Sequence, residues 1–452
     1  MRQRKHSHAW RDRAFRRGLG SAGPIAAILL LFAAGPVPAA PEAVTIETEH
    51  YRLVAETSPE TASEYGRVLE TAWPHLREFF GAEPELEKDE RLSIVFCATR
   101  ESFARRLLAA GIQPPAAGGY YHLRSRTAFA WRQPTIYFTR CLLLHETIHQ
   151  FHYLAKTDNR TGLAGWYAEG IAEFLSRHYL DGEKLTLGVV PMVTLEDSSR
   201  TALEALTGDD ADLTKLLTGR PLSRPAACAL VRWAVTADGG KHRKRFERLA
   251  KKLDRGARNI DLLYRTYGKP AKLRAALVEF LEGSQEPWSQ IFNEWEGTAP
   301  DAFRGTAGKG IVSACRVKGD ADRISAVLVV PEGRNWMAGL LLDHPGGKDY
   351  TTALLTSEGR VRVHRRRGGK WIRLLDSTLP VSDPGKTIRF EATRTGGKVR
   401  LKIEGKTIGA WELSGRALGL AIQGGVATFR DVKWGQTPAD RRSERETGSD
   451  PR

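Results

Sequence analysis

The chain has 452 residues, of which 41% are hydrophobic, and a formal net charge of +16. This length excludes a single compact core and predicts a multidomain protein of about two folded domains. The positive charge does not indicate a nucleic-acid partner, because the densest basic cluster, Lys241–Arg258, carries Phe246, Leu249 and Leu253 at helical spacing. Such a cluster is typical of the solvated face of an amphipathic helix, so we expect only a modest attraction to anionic envelope surfaces.

The N-terminus has the pattern of an export signal. A basic segment precedes the apolar stretch Pro24–Ala34, which is too short to span a bilayer, and the small-residue cleavage site Val37–Ala39. We therefore predict a signal peptide over residues 1–39 and an exported protein, periplasmic or secreted, with a signal anchor as the alternative. The pair Arg16-Arg17 leaves twin-arginine export open beside the Sec route. No nucleic-acid partner is expected for an exported protein.

The segments after the signal predict a mixed region of strands and helices. Val44–Ala55 has the pattern of a strand, Pro59–Phe80 that of a long helix and Arg91–Cys97 that of another strand. Further strands are predicted at Thr127–Trp131 and Thr135–Phe138.

Residues 144–174 contain the ligand set of a zinc hydrolase. His145, Glu146 and His149 form H-E-x-x-H, and Glu169 follows within W-Y-A-E-G-I-A-E-F. Residues four apart lie on one face of a helix, so the two imidazoles can converge on one metal ion. Glu146 is displaced around the helix, where it can reach a metal-bound water rather than the metal. A second helix carrying Glu169 supplies a third ligand and leaves a fourth position open, as in catalytic zinc sites.

This arrangement resembles the gluzincin metallopeptidases of the peptidase-MA-like group, and among them the bacterial secreted members. Metzincins are excluded, because the position where they need a third histidine is Ala155. The resemblance implies that His145, His149 and Glu169 bind one Zn²⁺ per chain and that Glu146 is the general base.

Glu173 lies one turn after Glu169, and its carboxylate is predicted to accept a hydrogen bond from the free ring nitrogen of a ligand histidine, His145 first. A solvated surface charge is the alternative. The residue that stabilises the transition state in many gluzincins stays open among Tyr137, His152, Tyr153, Tyr167 and His178. For His152, a packed histidine in the next helical turn is the favoured interpretation.

Downstream of the motif the pattern becomes mainly helical. Helices are predicted at Ala226–Thr236, Ile260–Tyr267 and Lys272–Leu281. Trp288, Phe292 and Trp295 recur at helical spacing and predict a last helix with an aromatic stripe in the core. All four cysteines lie in apolar contexts, which favours buried free thiols, with a Cys97–Cys141 disulfide as the alternative.

The C-terminal part has a different composition. Residues 298–310 are rich in Gly, Ala and Thr and predict a linker. Ten short β-rich runs follow, at Ile324–Val330, Ala338–Leu342, Thr351–Thr356, Arg360–Arg366, Lys370–Leu375, Thr387–Arg394, Lys398–Ile403, Thr407–Leu413, Ala417–Ile422 and Ala427–Trp434. They predict an all-β sandwich over residues 311–436. The charged tail, residues 437–452, is predicted to be disordered.

Three of these segments resemble the concanavalin-A-like jelly rolls of the laminin-G and 3-keto-disaccharide-hydrolase kind: Tyr350–Val363, Lys398–Lys406 and Leu418–Val432. The resemblance implies a jelly-roll sandwich, and such domains often bind glycans. The predicted architecture is thus an α+β zincin-like metallopeptidase domain at residues 40–297, with a mostly helical second half, followed by a jelly-roll sandwich.

We predict an exported zinc metallopeptidase that hydrolyses the peptide bonds of a peptide or protein substrate. The gluzincin resemblance implies that the peptide lies along a strand just before the site helix, Thr127–Trp131 or Thr135–Phe138. The sandwich is predicted to orient the enzyme or to bind glycan or a cell-envelope polymer. The alternative is a catalytically silent peptidase-like protein that binds glycan or cell-wall material through its sandwich. Cleavage specificity and oligomeric state stay open.

Overall fold

The computed structural model describes residues 42–157, 162–194, 196–292, 294–379 and 383–436. They form one compact unit with two large hydrophobic cores, one built from residues between Tyr51 and Leu281 and the other almost wholly from residues after Trp288. The predicted signal peptide and the predicted disordered tail lie outside the described residues. No helix in the described part of the chain is long and apolar enough to cross a membrane.

A five-stranded sheet forms the base of the first core. Its strands are β1 (Val44–Glu47), β2 (Tyr51–Ala55), β3 (Leu92–Cys97), β4 (Gly119–His122) and β5 (Thr127–Trp131), in the spatial order β1-β2-β3-β5-β4. Strand β3 is parallel to β2 and β5, whereas β4 is antiparallel to β5 and forms one edge. The strand predicted at Thr127–Trp131 is confirmed, but it lies inside the sheet and cannot be the edge.

Helices pack on this sheet and on one another. They are α1 (Pro59–Phe80), α2 (Arg100–Ala109), α3 (Ile136–Thr157), α4 (Gly165–Ser176), α5 (Ser198–Thr207), α6 (Leu213–Thr218), α7 (Arg224–Gly240), α8 (Arg243–Asp254), α9 (Asp261–Tyr267) and α10 (Pro270–Glu282), with the hairpin β6 (His178–Asp181) and β7 (Lys184–Leu187) after α4. In α8 the side chains of Phe246, Leu249 and Leu253 are buried, which confirms the predicted amphipathic helix. The predicted strand at Thr135–Phe138 is wrong, because the Thr135 hydroxyl accepts a hydrogen bond from Phe138 N and begins α3.

The second core is enclosed by a twelve-stranded, strongly curled sheet. Its strands are β8 (Trp288–Phe292), β9 (Glu294–Ala299), β10 (Ala302–Val317), β11 (Arg323–Val329), β12 (Met337–Gly346), β13 (Asp349–Thr356), β14 (Arg360–Arg367), β15 (Lys370–Thr378), β16 (Thr387–Thr395), β17 (Lys398–Ile403), β18 (Lys406–Glu412) and β19 (Gly419–Gly435). Gly339 of β12 lies against the ring of Phe390 of β16, although these strands are not hydrogen-bonded neighbours. The sheet therefore packs on itself as a β-sandwich, as predicted.

The boundary between the two parts differs from the prediction in two ways. Trp288 and Trp295 lie in β8 and β9 rather than in a helix, because both strands pair with β10 and bury these rings in the sandwich core. The predicted linker, residues 298–310, lies mostly within β9 and β10. Its small residues allow close packing, since a Cβ on Gly305 would come within 2.8 Å of the Trp295 ring.

At the C-terminal end of the sandwich, the last two predicted strands, Ala417–Ile422 and Ala427–Trp434, form one long strand, β19.

The cysteines match the favoured prediction. All four thiols are free and buried, and the alternative disulfide between Cys97 and Cys141 is not formed. Burial raises the pKa of both of these thiols to about 11, so they are protonated at neutral pH.

A buried ion pair joins the sandwich to helix α3. The Arg140 side chain is 1% exposed and contacts the carboxylate of Glu296 in β9, with Glu64 of α1 at 3.3 Å on its other side. Glu294 of β9 also accepts a hydrogen bond from Ile136 N at the first turn of α3. The start of this helix is therefore held by the first strands of the sandwich.

We expect Glu296→Gln to lower the free energy of unfolding by about 3 kcal/mol, because it removes one partner of a buried charge pair. Urea unfolding of the full chain measures this change. Glu247→Gln is the matched control, since its partner Arg243 lies with it on the exposed face of α8, where such a pair contributes less than about 1 kcal/mol. Equal stability of Glu296→Gln and wild type would show that the Arg140–Glu296 ion pair does not stabilise the fold.

Candidate metal centre

Helices α3 and α4 hold the residues of the H-E-x-x-H segment and of the downstream W-Y-A-E-G segment. Helix α3 is buried on most sides, with Leu144, Ile148 and Phe151 at most 1% exposed. Gly170 lets α4 approach α7 closely, because a Cβ there would lie 2.6 Å from the carbonyl oxygen of Ala227. This contact holds α4 so that the side of the helix that carries Glu169 faces α3.

The three predicted ligands come together. Nε2 of His145 lies 3.1 Å from Nε2 of His149. The Glu169 carboxylate reaches both rings, with Oε2 3.4 Å from His145 Nε2 and Oε1 3.6 Å from His149 Nε2. Glu169 is the most exposed of the three, with a quarter of its side chain open to solvent. Solvent therefore reaches the three donors from the side of Glu169.

These donor atoms fit a zinc ion. Tetrahedral zinc with bonds of about 2.0–2.1 Å places its ligand atoms about 3.3 Å apart, which is close to the three separations found here. Oε2 of Glu169 is buried and accepts no hydrogen bond from the residues that the structure describes, although the Arg224 guanidinium is near it. A cation between the three donors would satisfy this oxygen and both ring nitrogens.

The pKa values of the three donors diverge because the rings and the carboxylate interact closely. Burial and the neighbouring His145 lower the pKa of His149 to about 3, so its ring is neutral and has a free lone pair. Burial opposes the charge on His145, but Glu169 and Glu173 outweigh it and raise its pKa. Burial likewise opposes ionisation of Glu169, yet His145, His149 and Arg224 lower its pKa to about 2.

Glu146 lies beside the donors and against strand β4. A Cβ on Gly119, the first residue of β4, would lie 2.5 Å from Oε1 of Glu146, so only glycine leaves room for this carboxyl group. Burial raises the pKa of Glu146 to about 7, and the charge of Glu169 adds to this effect while His145 opposes it. The sequence predicted the role of Glu146 but contained no signal for Gly119, which is 27 positions upstream of it.

Glu173 lies near His145, but the distance is longer than the predicted hydrogen bond. Its Oε1 lies 3.6 Å from Nδ1 of His145, the ring nitrogen that faces away from the other donors. The side chain is only 16% exposed, so the alternative of a solvated surface charge is wrong. Glu173 also pairs at 3.0 Å with Arg177, whose side chain is 14% exposed. The carboxylate thus neutralises a largely buried arginine and lies beside the histidine.

Arg224, which no motif indicated, completes the charge arrangement. At the start of α7, its Nε lies 3.0 Å from Oε2 of Glu169, and its Nη1 lies 3.9 Å from Oε1 of Glu173. Its side chain is 42% exposed, so it forms part of the solvent-facing wall of the site. Its distance of 55 residues from Glu169 in the sequence explains why local patterns did not reveal it.

The sequence left five side chains as candidates for stabilising the transition state. Two of them, His152 and Tyr167, contact the same carboxylate, that of Asp254. His152 is fully buried and lies 3.1 Å from Oδ1 of Asp254, to which the Tyr167 hydroxyl also donates. This confirms that His152 is a packed histidine. Two further candidates, Tyr137 and His178, stack on each other and are buried.

Tyr153 is the candidate with an electrostatic link to the donors. Burial raises the pKa of its hydroxyl, and the charge of Glu169 raises it further, which reflects their proximity. The hydroxyl is half-buried and lies 3.5 Å from Leu163 N. Of the five side chains, Tyr153 is the one whose pKa the charge of Glu169 raises.

No family model matches the chain, and no curated protein matches it. It is similar to the carbohydrate-binding module CBM66 from Bacillus subtilis, with 14% identity over 33% of this chain and 94% of that chain and a TM-score of 0.29. It is similar to sheep galectin-11, with 12% identity over 29% of this chain and 100% of that chain and a TM-score of 0.22. It is also similar to the GH43 protein BlXynB from Bacillus licheniformis, with 17% identity over 33% of this chain and 39% of that chain and a TM-score of 0.24. TM-scores this low establish no shared function.

Because Glu173 neutralises buried Arg177, we expect Glu173→Gln to destabilise the protein by about 3 kcal/mol. Adding Arg177→Met should restore most of that stability, since both charges are then removed. Zinc affinity, measured by competition with a chelator, should be lower by about 10–100-fold in both variants, because His145 loses the negative charge beside its Nδ1. Urea unfolding gives the stability.

The control for this pair is Glu204→Gln, at an exposed i,i+4 pair with Arg200, which should change neither quantity. Wild-type zinc affinity in the double variant would show that Glu173 serves only Arg177.

Proposed function

We propose that this protein is a zinc-dependent hydrolase that cleaves peptide bonds. The observation that supports the proposal is the convergence of His145, His149 and Glu169, whose donor atoms all lie within 4.8 Å of one another beside the buried Glu146. Two imidazoles and one carboxylate are a ligand set of catalytic zinc sites, in which one position stays open. When bound there, zinc supplies a Lewis acid and makes hydroxide available near neutral pH.

Glu146 moves the proton in this proposal. With a pKa near 7, its carboxyl group can both accept and release a proton at neutral pH. Positive charge at the three donors lowers this pKa and favours the ionised form, which accepts a proton from the attacking water. The protonated carboxyl then donates to the amine that leaves. The close approach of Gly119 restricts where this carboxyl can lie.

The edge of the five-stranded sheet supports a peptide as the substrate. Strand β4 pairs with β5 on one side and is the last strand of the sheet on the other. Unpaired backbone groups of such an edge bind an extended chain by main-chain hydrogen bonds. Because Gly119 at the start of β4 touches Glu146, a peptide along this edge passes the proton-transfer group. This role belongs to β4 and not to either strand that the sequence offered.

Tyr153 is proposed to stabilise the oxyanion that forms during hydrolysis. Its hydroxyl is half-buried near Glu169 and stays protonated, because burial and that carboxylate both raise its pKa. A protonated phenol donates a hydrogen bond to developing negative charge.

The N-terminal signal pattern supports export of the enzyme to the periplasm or the medium, with a signal anchor as the alternative.

A second candidate function is binding of glycan or cell-envelope material by the sandwich, with a peptidase-like domain that has lost turnover. The observation that favours it is an open pocket on the sandwich beside Trp371, whose side chain is half-exposed. The two candidates agree on zinc and differ on proteolysis. Glycan binding by the sandwich is also compatible with an active hydrolase.

We expect the exported form of the protein to contain about one zinc ion per chain, because three suitable ligands converge. His149→Ala and Glu169→Ala each remove a ligand and should strongly reduce the zinc content, measured by mass spectrometry of the metal after dialysis. His75→Ala is the control, since it removes an exposed histidine on α1. Full zinc content in both ligand variants would rule out this ligand set.

Glu146→Gln should keep its zinc and lose cleavage of a peptide library by at least about 100-fold, because the amide cannot accept the proton. The readout is mass spectrometry of the digest, with metal content measured in the same sample. Cleavage at the wild-type rate would exclude Glu146 as the base. A wild-type protein that holds zinc, cuts no peptide and binds glycan would favour the second candidate.

A further inference from the structure

A concave pocket on the sandwich lies apart from the metal centre. It has a volume of about 600 Å³ and is lined by β8, by residues 310–312 in the middle of β10, and by β13, β14 and β15. Aromatic and aliphatic side chains form much of its wall, and basic side chains form the rest. The residues that carry the argument are Phe292, Ile311, Lys348, Tyr350, Arg366 and Trp371.

Three of these side chains stand side by side across three strands. Tyr350 of β13 pairs directly with Arg366 of β14, and Arg366 pairs with Trp371 of β15. Directly opposed residues in neighbouring strands point to the same face of a sheet, so the three form one continuous row. The row has a ring at each end and a guanidinium between them.

Trp371 is supported from behind and open in front. Its ring packs edge-on against Tyr350 at 5.7 Å, and Tyr350 packs against Phe292 at 5.5 Å. Tyr350 is 4% exposed, whereas Trp371 is 52% exposed. A large ring that is held in place yet open to solvent is a preformed surface for a flat, partly apolar ligand.

Positive charge without a partner is concentrated at this pocket. Further along the same strands, Arg360, Arg362 and Arg373 all form ion pairs with Asp376. Lys348 and Arg366, by contrast, contact no carboxylate among the residues that the structure describes. Nε of Arg366 is buried and also lacks a hydrogen-bond acceptor there. A ligand that brings an anionic group would satisfy this guanidinium.

A smaller neighbouring cavity extends the basic wall. It has a volume of about 140 Å³, shares Tyr350 and Arg366 with the pocket, and is also lined by Arg365 and Arg367. One carboxylate in this cavity, Asp343, is already paired with Arg394. A second, that of Asp349, accepts a hydrogen bond from Gly368 N. Arg365 donates to the carbonyl oxygen of Glu412, and the basic groups at this end of the pocket outnumber the carboxylates near them.

We propose that this pocket binds an anionic saccharide, with a sugar ring on the face of Trp371 and the acidic group of that sugar paired with Arg366 and Lys348. The apolar face of a sugar ring matches an indole, and a planar guanidinium matches a carboxylate or a sulfate. The pocket presents one exposed indole beside one local group of charges, whereas proteins that bind single-stranded nucleic acids use series of rings along a basic groove. The proposal gives the sandwich's proposed glycan binding a site and a ligand class; it rests on that function and not on hydrolysis.

The test is isothermal titration of the full exported chain with four probes: polygalacturonate, chondroitin sulfate, dextran and a 20-residue oligothymidylate. We expect binding of the carboxylated or the sulfated polymer and none of dextran, and the first two probes distinguish the two acidic groups. Trp371→Ala should weaken this binding by about tenfold or more, as the loss of a central aromatic contact does. Arg366→Gln should weaken it comparably.

Matched controls exist for both variants. Ile372→Ala removes a residue that is 45% exposed and adjacent to Trp371 but on the opposite face of β15, and Arg400→Gln removes an exposed arginine of β17. Both should bind as wild type does. Wild-type affinity of Trp371→Ala would overturn the site while leaving glycan binding intact. No binding of any saccharide would overturn glycan binding itself, and tighter binding of oligothymidylate would assign the pocket to nucleic acid. Glu146→Gln should bind as wild type in every case.

Discussion

Arg140 on helix α3 is almost fully buried, and its pairing with Glu296 of β9 connects the two halves of the molecule. Glu64 of α1 is the second carboxylate beside this guanidinium, and loss of either partner from a buried charge network is destabilising. Contact between the sandwich and the helix therefore stabilises both. The same helix carries His145 and His149, about one and a half and two and a half turns further on. The positions of the metal-site donors therefore depend on strands more than 140 residues later in the chain.

Burial opposes ionisation of both Glu146 and Glu169, but their charged neighbours give the two carboxyl groups opposite net pKa shifts. Glu169 faces two histidines and Arg224, and these charges keep it ionised despite its burial. Glu146 lies on the same helix as the histidines but is dominated by desolvation, so its pKa rises to near neutrality. One carboxylate is thereby suited to bind a cation and the other to transfer a proton. The difference arises from neighbours and not from residue type.

The two proposals assign different kinds of recognition to the sandwich and to the candidate metal centre. Strand β4 would offer backbone groups to an extended chain, whereas the Trp371 pocket would offer a ring and charged groups to a saccharide. Both belong to one compact unit, in which β9 contacts α3 directly. In the proposals made here, a saccharide held by the sandwich would restrict the position from which the metal centre meets its substrate. Anchoring and cleavage would then be coupled by geometry alone.

Local patterns in the sequence determined the features that depend on residues close together in the chain, such as helices and the ligands on one helix face. Two histidines four residues apart must share a helix face. Helix α1 follows from its Ser58 cap and apolar periodicity, and α8 follows from apolar periodicity. Only the tertiary structure decided the features that depend on residues far apart in the chain. Trp288 and Trp295 have a spacing that also suits a helix, yet pairing with β10 makes them parts of strands. Similarly, Arg224 joins the site only when α7 packs against α4, because long-range contacts leave no periodic trace in the chain.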